Sequence, residues 1–426
     1  MDCTTCVIVG GGPAGMFLGL LLARAGVEVT VLEKHADFLR DFRGDTVHPT
    51  TMDLLDELGL GEEFAKLPQR HVSEVQVPID GRMRTFATMR RLPLRHRYIA
   101  MVPQWDLLDL LARAADTEPA FHLRMKTEVT GLIREDGRVT GVRYRDRHGR
   151  CAELRADLTV ACDGRTSAVR AAAGLRTRAW PVPFDVWWFR LPRTDRTDPS
   201  GDVQVTAGQM VVLADRGDYW QCAVIIPEGR DAELRRAPVT DITRRMAEAA
   251  PWLADRTHVL RHWDEVKLLT VQLDRLHRWY TEGLLCLGDA AHAMSPLGGV
   301  GINLAVQDAV AAARILAPKL LSHTVEVSDL ARVQRRRGFP TRVSQRMQRT
   351  MHAAVVKRAL RDAELRPESA DAPPLLRVLR HIPIVRSIPL FLMTRGVLPE
   401  HAPDFARRPP PGAACARSYQ TPRGRN

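Results

Sequence analysis

Two glycine-rich stretches that could cradle phosphate groups lie far apart in this 426-residue chain. In the first, VIVGGGPAGM, the residues Gly10, Gly12 and Gly15 separate an apolar strand pattern from a helical one. The first glycine of such a unit permits a tight turn, the second lets backbone N–H groups approach a pyrophosphate, and the third allows close helix packing. A second strand pattern ends at Glu33, whose carboxylate suits the hydroxyls of an adenosine ribose. The unit predicts a dinucleotide site without distinguishing NAD from FAD.

The second stretch, GDAAHAMSPLGGVGIN at 288–303, also carries an acid, a histidine and a proline. The apolar LLCL before it predicts a strand, and the alanine-rich sequence after it predicts a long helix that begins near Gly301. Because the first stretch accounts for a pyrophosphate, we expect this second helix N-terminus to hold the other end of an extended dinucleotide. The ribityl chain and flavin ring of FAD fit that description. Asp289 suits the ribityl hydroxyls, and a glycine-lined helix N-terminus suits the negative charge of a reduced flavin.

Three further motifs occur between these stretches. RGDTVHPTTMDLLDELGL contains Arg43, VPQWDLLDLLARAA contains Gln104, and ADLTVACDGRTSAVR contains Asp163 and Gly164. The five motifs, in this order, resemble those of the para-hydroxybenzoate hydroxylase family, the single-component (class A) FAD-dependent monooxygenases. The resemblance covers roughly three quarters of the chain, from the first glycine loop to the helix after the second.

The resemblance implies a role for each matched residue. Arg43 and Gln104 are expected to contact FAD, and Asp163 to serve the FAD side. Asp289 is expected to hold the ribityl chain, and Pro296 to lie beside the ring where oxygen reacts. The backbone of Gly298–Gly301 is expected to face the pyrimidine side of the flavin. The predicted cofactor-binding residues are Gly10, Gly12, Gly15, Glu33, Arg43, Gln104, Asp163, Gly164, Asp289, Pro296, Gly298, Gly299 and Gly301.

Two histidines lie within these motifs, and histidine is the usual acid–base group near neutral pH. His48, five residues after Arg43, is a candidate beside the flavin, with simple turn packing as the alternative. His292 is expected to be packed and hydrogen-bonded. The candidate catalytic residues are therefore Pro296, His48 and Arg43. The helix after His48 is expected to begin with a capping box formed by Thr50 and Asp53.

The resemblance and the sequence pattern together predict an α/β fold. A Rossmann-like FAD-binding domain is interleaved with a β-sheet substrate domain, and a C-terminal helical segment follows. The expected boundaries are 1–70, 97–180 and 275–330 for the FAD-binding domain, 71–96 and 181–274 for the substrate-binding domain, 331–406 for the helical region and 407–426 for a disordered tail.

Tryptophans in the strand patterns of the second domain could contact a planar substrate. Trp187 and Trp188 are adjacent, so they must point to opposite faces of their sheet. Trp220 lies in a second strand pattern and faces the same choice. Core packing is the alternative for each of them. We predict Trp188 and Trp220 as the aromatic walls of a substrate cavity.

The net charge of +12 is unevenly distributed. Residues 331–426 contain 20 arginines and lysines against 6 acidic residues, so the part that carries the motifs is close to neutral. No finger, recognition helix or RNA-binding signature accompanies the basic region, which argues against a nucleic-acid partner. We expect a solvated helical face, with contact to an acidic membrane surface as the alternative.

Cysteine usage and hydropathy indicate the class of protein. Seven cysteines without regular spacing do not make a disulfide framework, and the single C-x-x-C of Cys3 and Cys6 does not predict a metal site. The absence of an apolar run of eighteen residues predicts no membrane span. These features indicate a cytoplasmic protein, and the sequence leaves open whether it is a monomer or a homodimer.

The resemblance implies an aromatic hydroxylase. NAD(P)H would reduce FAD, O2 would add at the flavin C4a atom, and the C4a-hydroperoxyflavin would give its distal oxygen to a small aromatic or polyketide-like substrate. Baeyer–Villiger insertion, or oxidation and reduction without oxygen transfer, would use the same FAD cradle and stays open. A flavin sensor or a membrane-surface protein is the non-enzymatic alternative. A halogenase is disfavoured, because Cys222 follows Trp220 where the halogenase W-x-W-x-I-P motif has its second tryptophan.

Overall fold

The computed structural model describes residues 2–39, 46–79, 82–193, 203–206, 209–216, 219–249, 251–361 and 390–409. Arg43 lies outside the described residues, as do residues 410–426 of the tail predicted at 407–426. The helices are α1 (Pro13–Arg24), α2 (Pro49–Glu57), α3 (Gly61–Ala65), α4 (Gln104–Asp116), α5 (Ala168–Ala172), α6 (Asp231–Leu234), α7 (Thr240–Ala249), α8 (Gly301–Leu321) and α9 (Val327–Arg361).

Within these ranges the strands form one large sheet, one five-stranded sheet and three small ones. They are β1 (Asp2–Val9), β2 (Val29–Leu32), β3 (Thr46–Val47), β4 (Arg70–Val72), β5 (Glu74–Ile79), β6 (Arg82–Thr88), β7 (Ile99–Met101), β8 (Phe121–Arg124), β9 (Glu128–Glu135), β10 (Arg138–Arg145), β11 (Cys151–Ala161), β12 (Thr177–Ala179), β13 (Phe184–Pro192), β14 (Val203–Thr206), β15 (Gln209–Asp215), β16 (Tyr219–Pro227), β17 (Lys267–Leu269), β18 (Asp274–Leu276), β19 (Tyr280–Thr281) and β20 (Leu284–Cys286).

The large sheet has a parallel centre in which β20, β11, β1, β2 and β8 are neighbours in that order. Its register aligns Leu32 with Val9, Val9 with Ala161, and Ala161 with Cys286. These residues end or nearly end their strands, so the loops that follow all leave from one edge of the sheet. Ligands bind at this carboxyl edge in open α/β sheets. The predicted α/β fold with a Rossmann-like sheet is confirmed.

The first helix packs tightly on this sheet because its sequence is apolar on nearly every side. Ten consecutive residues of α1, from Ala14 to Ala23, are buried between the sheet and its neighbours α4 and α8. Gly15 is required for this approach, since a Cβ there would lie 2.0 Å from the carbonyl oxygen of Gly10. Gly10 itself has φ +103°, a backbone conformation that favours glycine.

The five-stranded sheet has the order β14-β15-β16-β13-β17 and is antiparallel. The side chains on one face pack with α7 in an apolar core that contains Trp187 and Trp220. The side chains on the other face, among them Trp188 and Ile225, pack towards Met294 and Val300 in the second glycine-rich stretch. This second face therefore covers the loop that was predicted to meet the flavin.

Helices α8 and α2 pack mainly against other helices. α8 packs against both α1 and α9, and α2 lies against α3 and α8. The predicted capping box at Thr50 is wrong: α2 begins at Pro49, with His48 as its extended N-cap residue and no side-chain cap. Proline is well suited to the first helical position because it has no N–H to leave unpaired. Within the described ranges, no helix combines the length and the apolar character that a membrane crossing requires.

Candidate functional site

Four of the predicted site residues follow four neighbouring strands of the parallel sheet. Gly10 follows β1, Glu33 follows β2, Asp163 comes two residues after β11, and Asp289 comes three residues after β20. Backbone hydrogen bonds continue the ladder beyond the strands, from Gly10 N–H to Leu32 O at 2.8 Å. The aligned register brings groups from distant parts of the chain to a single edge of the sheet.

The first glycine loop brings a helix N-terminus with its backbone N–H donors to that edge. Gly12 is the N-cap of α1 with an extended backbone and no side-chain cap, and a Cβ built on it would meet nothing within 4 Å. The N–H groups of the first helical turn point toward the N-terminus and favour an anion. Glu33 accepts hydrogen bonds from the N–H groups of Gly11 (2.8 Å) and His35 (3.0 Å), which fix its carboxylate beside the loop.

Asp163 is a largely buried carboxyl at the centre of the edge. Its Oδ2 accepts a hydrogen bond from the Val169 N–H at 3.2 Å, while Oδ1 is buried and has no hydrogen-bond partner among the described residues. Burial raises the pKa of Asp163, opposed by the hydrogen bonds that it accepts near Ser167. Gly164 follows with φ +85° and open space at its Cβ position. A buried carboxyl oxygen without a partner is expected where a ligand group completes the site.

The two glycine-rich stretches meet at Gly288. A Cβ built on this residue would lie 3.2 Å from the Cβ of Ala14 in α1 and 3.1 Å from the Cβ of Ala305 in α8. Its φ of +56° also favours glycine. The next residue, Asp289, is about one-third exposed and lies 3.9 Å from the guanidinium of Arg165. The N-terminal parts of α1 and α8 therefore lie side by side, as one extended dinucleotide would require.

The loop before α8 is held in a compact turn. The Gly299 N–H donates to the Pro296 carbonyl oxygen at 3.0 Å, and Gly298 and Gly299 have φ values of +82° and +59°. Pro296 is half-buried. Gln348 of α9 holds this loop, since its Nε2 donates to the carbonyl oxygens of Ser295 and Leu297, each at 2.8 Å. The sequence motifs gave no indication of this role for Gln348.

Asn303 in the first turn of α8 joins that loop to the segment before α2. Its Nδ2 donates to the carbonyl oxygens of Gly299 (3.2 Å) and Thr46 (3.3 Å). Its Oδ1 accepts from the His48 N–H (2.9 Å) and the Thr51 hydroxyl (2.7 Å). Both N–H groups and both acceptor positions of the Asn303 amide are thus engaged in hydrogen bonds. Asn303 was missed from the sequence, although it ends the second motif.

His48 is fully buried next to this loop. Its Nδ1 lies 3.2 Å from the carbonyl oxygen of Met393, and a carbonyl can only accept, so Nδ1 carries the proton. Nε2 is then an acceptor, and it has no partner among the described residues. Burial lowers the pKa of His48 to about 4, against the opposing effect of backbone hydrogen bonds near Met393 and Gly298. The ring is therefore neutral at physiological pH and can accept a hydrogen bond at Nε2.

His292 is packed away from the predicted cleft, as expected. Its Nε2 lies 2.5 Å from Oδ2 of Asp308, whose Oδ1 accepts from Nε of Arg337 at 3.0 Å. All three side chains are almost fully buried. Burial opposes ionisation of Asp308, but His292 and Arg337 outweigh it and lower the pKa of this carboxyl. The group anchors α8 to α9 beneath the second motif.

Three predicted residues remain: one for the cofactor, Gln104, and two for the substrate, Trp188 and Trp220. Gln104 is the first residue of α4, which packs against α1 on the nucleotide side of the sheet. Trp188 is half-buried on the sheet face that covers the glycine loop. Trp220 is fully buried on the opposite face, where its ring centroid lies 5.2 Å from that of Trp252. Its expected place in a substrate wall is therefore wrong, because its strand turns it into the core.

These features fit an FAD molecule. An uncapped helix N-terminus, an adjacent carboxylate at Glu33, an unpartnered buried oxygen at Asp163 and a glycine turn at 298–299 lie along one edge of the sheet. The helix N-terminus suits a pyrophosphate, the two carboxyl groups suit hydroxyl or N–H donors of the cofactor, and the glycine turn suits the polar rim of a flavin.

Comparison with known proteins agrees with this geometry. Residues 2–347 match the family described as the FAD binding domain. A 6-methylpretetramide 4-monooxygenase of Streptomyces rimosus is 33% identical over 392 residues, which cover 89% of this chain and 92% of that protein. A 12-dehydrotetracycline 5-monooxygenase/anhydrotetracycline 6-monooxygenase of the same species is 32% identical over 324 residues, 71% of this chain and 60% of that protein.

A similar solved structure supports the fold. PqsL of Pseudomonas aeruginosa, in complex with 2-aminobenzoylacetate, has a TM-score of 0.72 at 22% identity, over 85% of this chain and 99% of that one. The family match extends over most of the chain, and the relative from S. rimosus matches nearly end to end. The chain therefore belongs to the para-hydroxybenzoate hydroxylase-type family of FAD-dependent monooxygenases.

Proposed function

We propose that this protein uses FAD, NAD(P)H and O2 to hydroxylate a small aromatic or polyketide-like substrate. The observation that carries the proposal is the position of the glycine loop at 296–301 between the parallel sheet and the apolar face of the five-stranded sheet. FAD, when bound, supplies the redox chemistry: it accepts electrons from NAD(P)H and activates O2. The chain must bind, orient and shield the reactants.

The covering face is suited to a flat, weakly polar substrate. Trp188, Val212 and Ile225 project from β13, β15 and β16 on this side, and Leu297 and Met393 pack against the same cluster. These side chains present apolar surface and one aromatic ring, and they carry no formal charge. Such a surface favours planar hydrocarbon over charged metabolites and excludes water from the reacting atoms. Two monooxygenases that resemble this chain are named for 6-methylpretetramide and for tetracycline compounds, which supports the same substrate class.

The polar residues hold reactants in place. Glu33 and Asp289 are placed to accept hydrogen bonds from sugar and ribityl hydroxyls, while the turn at Pro296 orients backbone N–H groups at the start of α8. His48 contributes a neutral Nε2 that accepts a hydrogen bond from a donor at the flavin edge or on the substrate. We therefore assign His48 a role in orientation, and not the role of a general acid near neutral pH.

The decisive experiment traces the oxygen atoms of O2 into the product. The purified protein is loaded with FAD and supplied with NADPH or NADH, 18O2 and a panel of multi-ring phenols and polyketides. Incorporation of one labelled atom as a new hydroxyl supports the proposal. A labelled ester or lactone would establish Baeyer–Villiger insertion instead, and product without label would establish oxidation without oxygen transfer. Failure to bind FAD at all would reject the assignment.

A further inference from the structure

Several arginines surround Trp180 without acidic partners. The guanidinium carbons of Arg178 and Arg275 each lie 5.2 Å from the centroid of this ring, and that of Arg349 lies 5.7 Å away. The described part of the chain places no carboxylate within ion-pair distance of these three guanidinium groups. Many other arginines of the described residues do have such partners, as Arg143 has Glu153. We call Arg178, Arg275 and Arg349, with Arg342 and Arg346, the arginine cluster.

The backbone enforces the proximity of these charges. Arg178 of β12 and Arg275 of β18 are directly opposite each other in an antiparallel pair. Like charges in that position destabilise a sheet. Arg342, Arg346 and Arg349 recur at intervals of four and three residues in α9, so they share one face of the helix. Burial, together with Arg342 and Arg178, lowers the pKa of Arg275. The cluster is therefore an arrangement whose repulsion an anion would relieve.

Hydrogen bonds hold the two elements of the cluster together. Nη1 of Arg275 donates to Oε1 of Gln345 at 2.8 Å, and Nε2 of Gln345 donates to the carbonyl oxygen of Asp274 at 2.6 Å. The carboxylate of Asp274 is engaged elsewhere, by Arg170 at 3.3 Å and by the Ala293 N–H at 3.2 Å. The acid nearest in sequence thus does not neutralise the cluster.

The arginine cluster adjoins the proposed flavin site. Trp180 packs on the apolar cluster that includes Trp188, Leu297 and Met294, and its N–H donates to Leu273 at 2.9 Å. Through Asp274 and Ala293, β18 is hydrogen-bonded directly to the second glycine-rich stretch. A ligand whose anionic end lay at the cluster would therefore bind beside an element that is hydrogen-bonded to the second glycine-rich stretch.

We propose that the arginine cluster binds the phosphate groups of the nicotinamide co-substrate. The inference rests on the proposed function, which requires three reactants besides FAD. Oxygen is neutral, and the substrate cavity is apolar, so NAD(P)H is the reactant that carries phosphates. The FAD pyrophosphate already has a place at the N-terminus of α1. Guanidinium groups bind phosphate oxygens with two parallel hydrogen bonds, and a pyrophosphate offers enough oxygens for several of them.

The test compares Arg275→Gln and Arg349→Gln in the full-length, FAD-loaded protein. We expect the KM for NADPH to rise about tenfold in each variant, the effect of one lost charged hydrogen bond. FAD content should stay at the parent level. Arg143→Gln, which removes an equal charge from β10, is the matched control and should leave KM unchanged. Arg349 is exposed, so its replacement does not threaten folding.

A second measurement does not depend on turnover. Inorganic pyrophosphate should raise the thermal unfolding midpoint of the parent protein and of Arg143→Gln, and raise it less in the two cluster variants. NADPH oxidation with unaltered KM in both variants would reject the arginine site and leave the proposed function standing. If the FAD-loaded parent oxidises neither NADPH nor NADH with any substrate, the proposed function itself fails, and the nicotinamide is rejected as ligand of the cluster with it.

Discussion

Gly288 packs against Ala14 so closely that a Cβ added to the glycine would lie 3.2 Å from the alanine Cβ. This contact joins the two helices whose N-termini we propose to hold opposite ends of FAD. A Gly288→Ala substitution should separate them and also strain a backbone with φ +56°. We expect a loss of stability of about 1–3 kcal/mol and a protein purified with little FAD. Flavin absorbance per protein and urea unfolding provide the measurements.

Gly174→Ala is the matched control for that substitution. Gly174 has φ +67° but nothing within 4 Å of its Cβ position, so its replacement introduces similar strain without crowding. FAD content should be normal in Gly174→Ala. Equal FAD loss in both variants would show that backbone strain, and not the contact between the helices, explains the result at Gly288.

Asp289 supplies a second test of the same edge. We propose that its partly exposed carboxylate accepts hydrogen bonds from the ribityl hydroxyls, so Asp289→Ala should weaken FAD binding by about 1.5–3 kcal/mol, or roughly tenfold or more in Kd. Asp116→Ala, at an exposed residue that ends α4, is the control and should bind FAD normally. Fluorescence titration of the apoprotein with FAD measures both. An unchanged Kd for Asp289→Ala would remove this residue from the site.

Asn303 should be essential to the shape of the glycine loop. Asn303→Ala removes two donated and two accepted hydrogen bonds that connect Gly299, Thr46, His48 and Thr51. We expect a stability loss of about 1–3 kcal/mol, because buried groups lose partners, together with reduced FAD content. Gln307→Ala, one turn later in α8, also removes a buried amide but touches Glu400 and not the loop. It should lose stability and keep FAD, which separates the two effects.

Much of this site was accessible from the sequence because it depends on local order. The residues Gly10, Glu33, Asp163 and Asp289 each come just after a strand, and parallel strands bring such positions to one edge whatever their separation along the chain. Strand patterns and glycine spacing therefore sufficed to place them.

Contacts between distant side chains were not accessible in the same way. Gln348 reaches Ser295 from a helix whose sequence gives only a basic, amphipathic pattern. Strand alternation predicts that side chains lie on two faces of the sheet, but it does not predict which face α7 covers. The environments of Trp188 and Trp220 depend on that choice. That choice depends on how the two sheets pack, which involves segments far apart in the chain.

His48 should make the protein sensitive to mild acid. Its folded pKa of about 4 lies below the value of 6.5 for an exposed histidine, so protons bind preferentially to the unfolded chain. The stability that this residue contributes is fully present above pH 6.5 and is lost as the pH falls towards 4. The contribution of His48 to the free energy of unfolding is about 3 kcal/mol, of which about 2 kcal/mol is lost by pH 5.

The comparison of parent protein and His48→Gln isolates this effect. Urea unfolding at pH 7 and pH 5 should show a smaller drop in the free energy of unfolding for His48→Gln, by about 2 kcal/mol. The pH profile of parent activity should contain no step near pH 6.5 that is lost in His48→Gln, because the His48 ring is neutral on both sides of that pH. An activity profile with such a step would assign His48 an acid–base role.

The two tryptophans offer a test of which sheet face meets the substrate. Trp188→Ala should leave folding largely intact and raise the KM for the aromatic substrate, because this half-buried ring lies on the face towards Leu297. Trp220→Ala should instead destabilise the fold, without a specific effect on the KM for the aromatic substrate. Its fully buried ring leaves a large cavity, and such truncations cost about 3–5 kcal/mol of stability. Trp220→Phe, which keeps most of the volume, should restore stability while KM stays at the parent value. A specific rise in KM for Trp220→Phe, without one for Trp188→Ala, would mean that the substrate binds on the α7 side of the sheet.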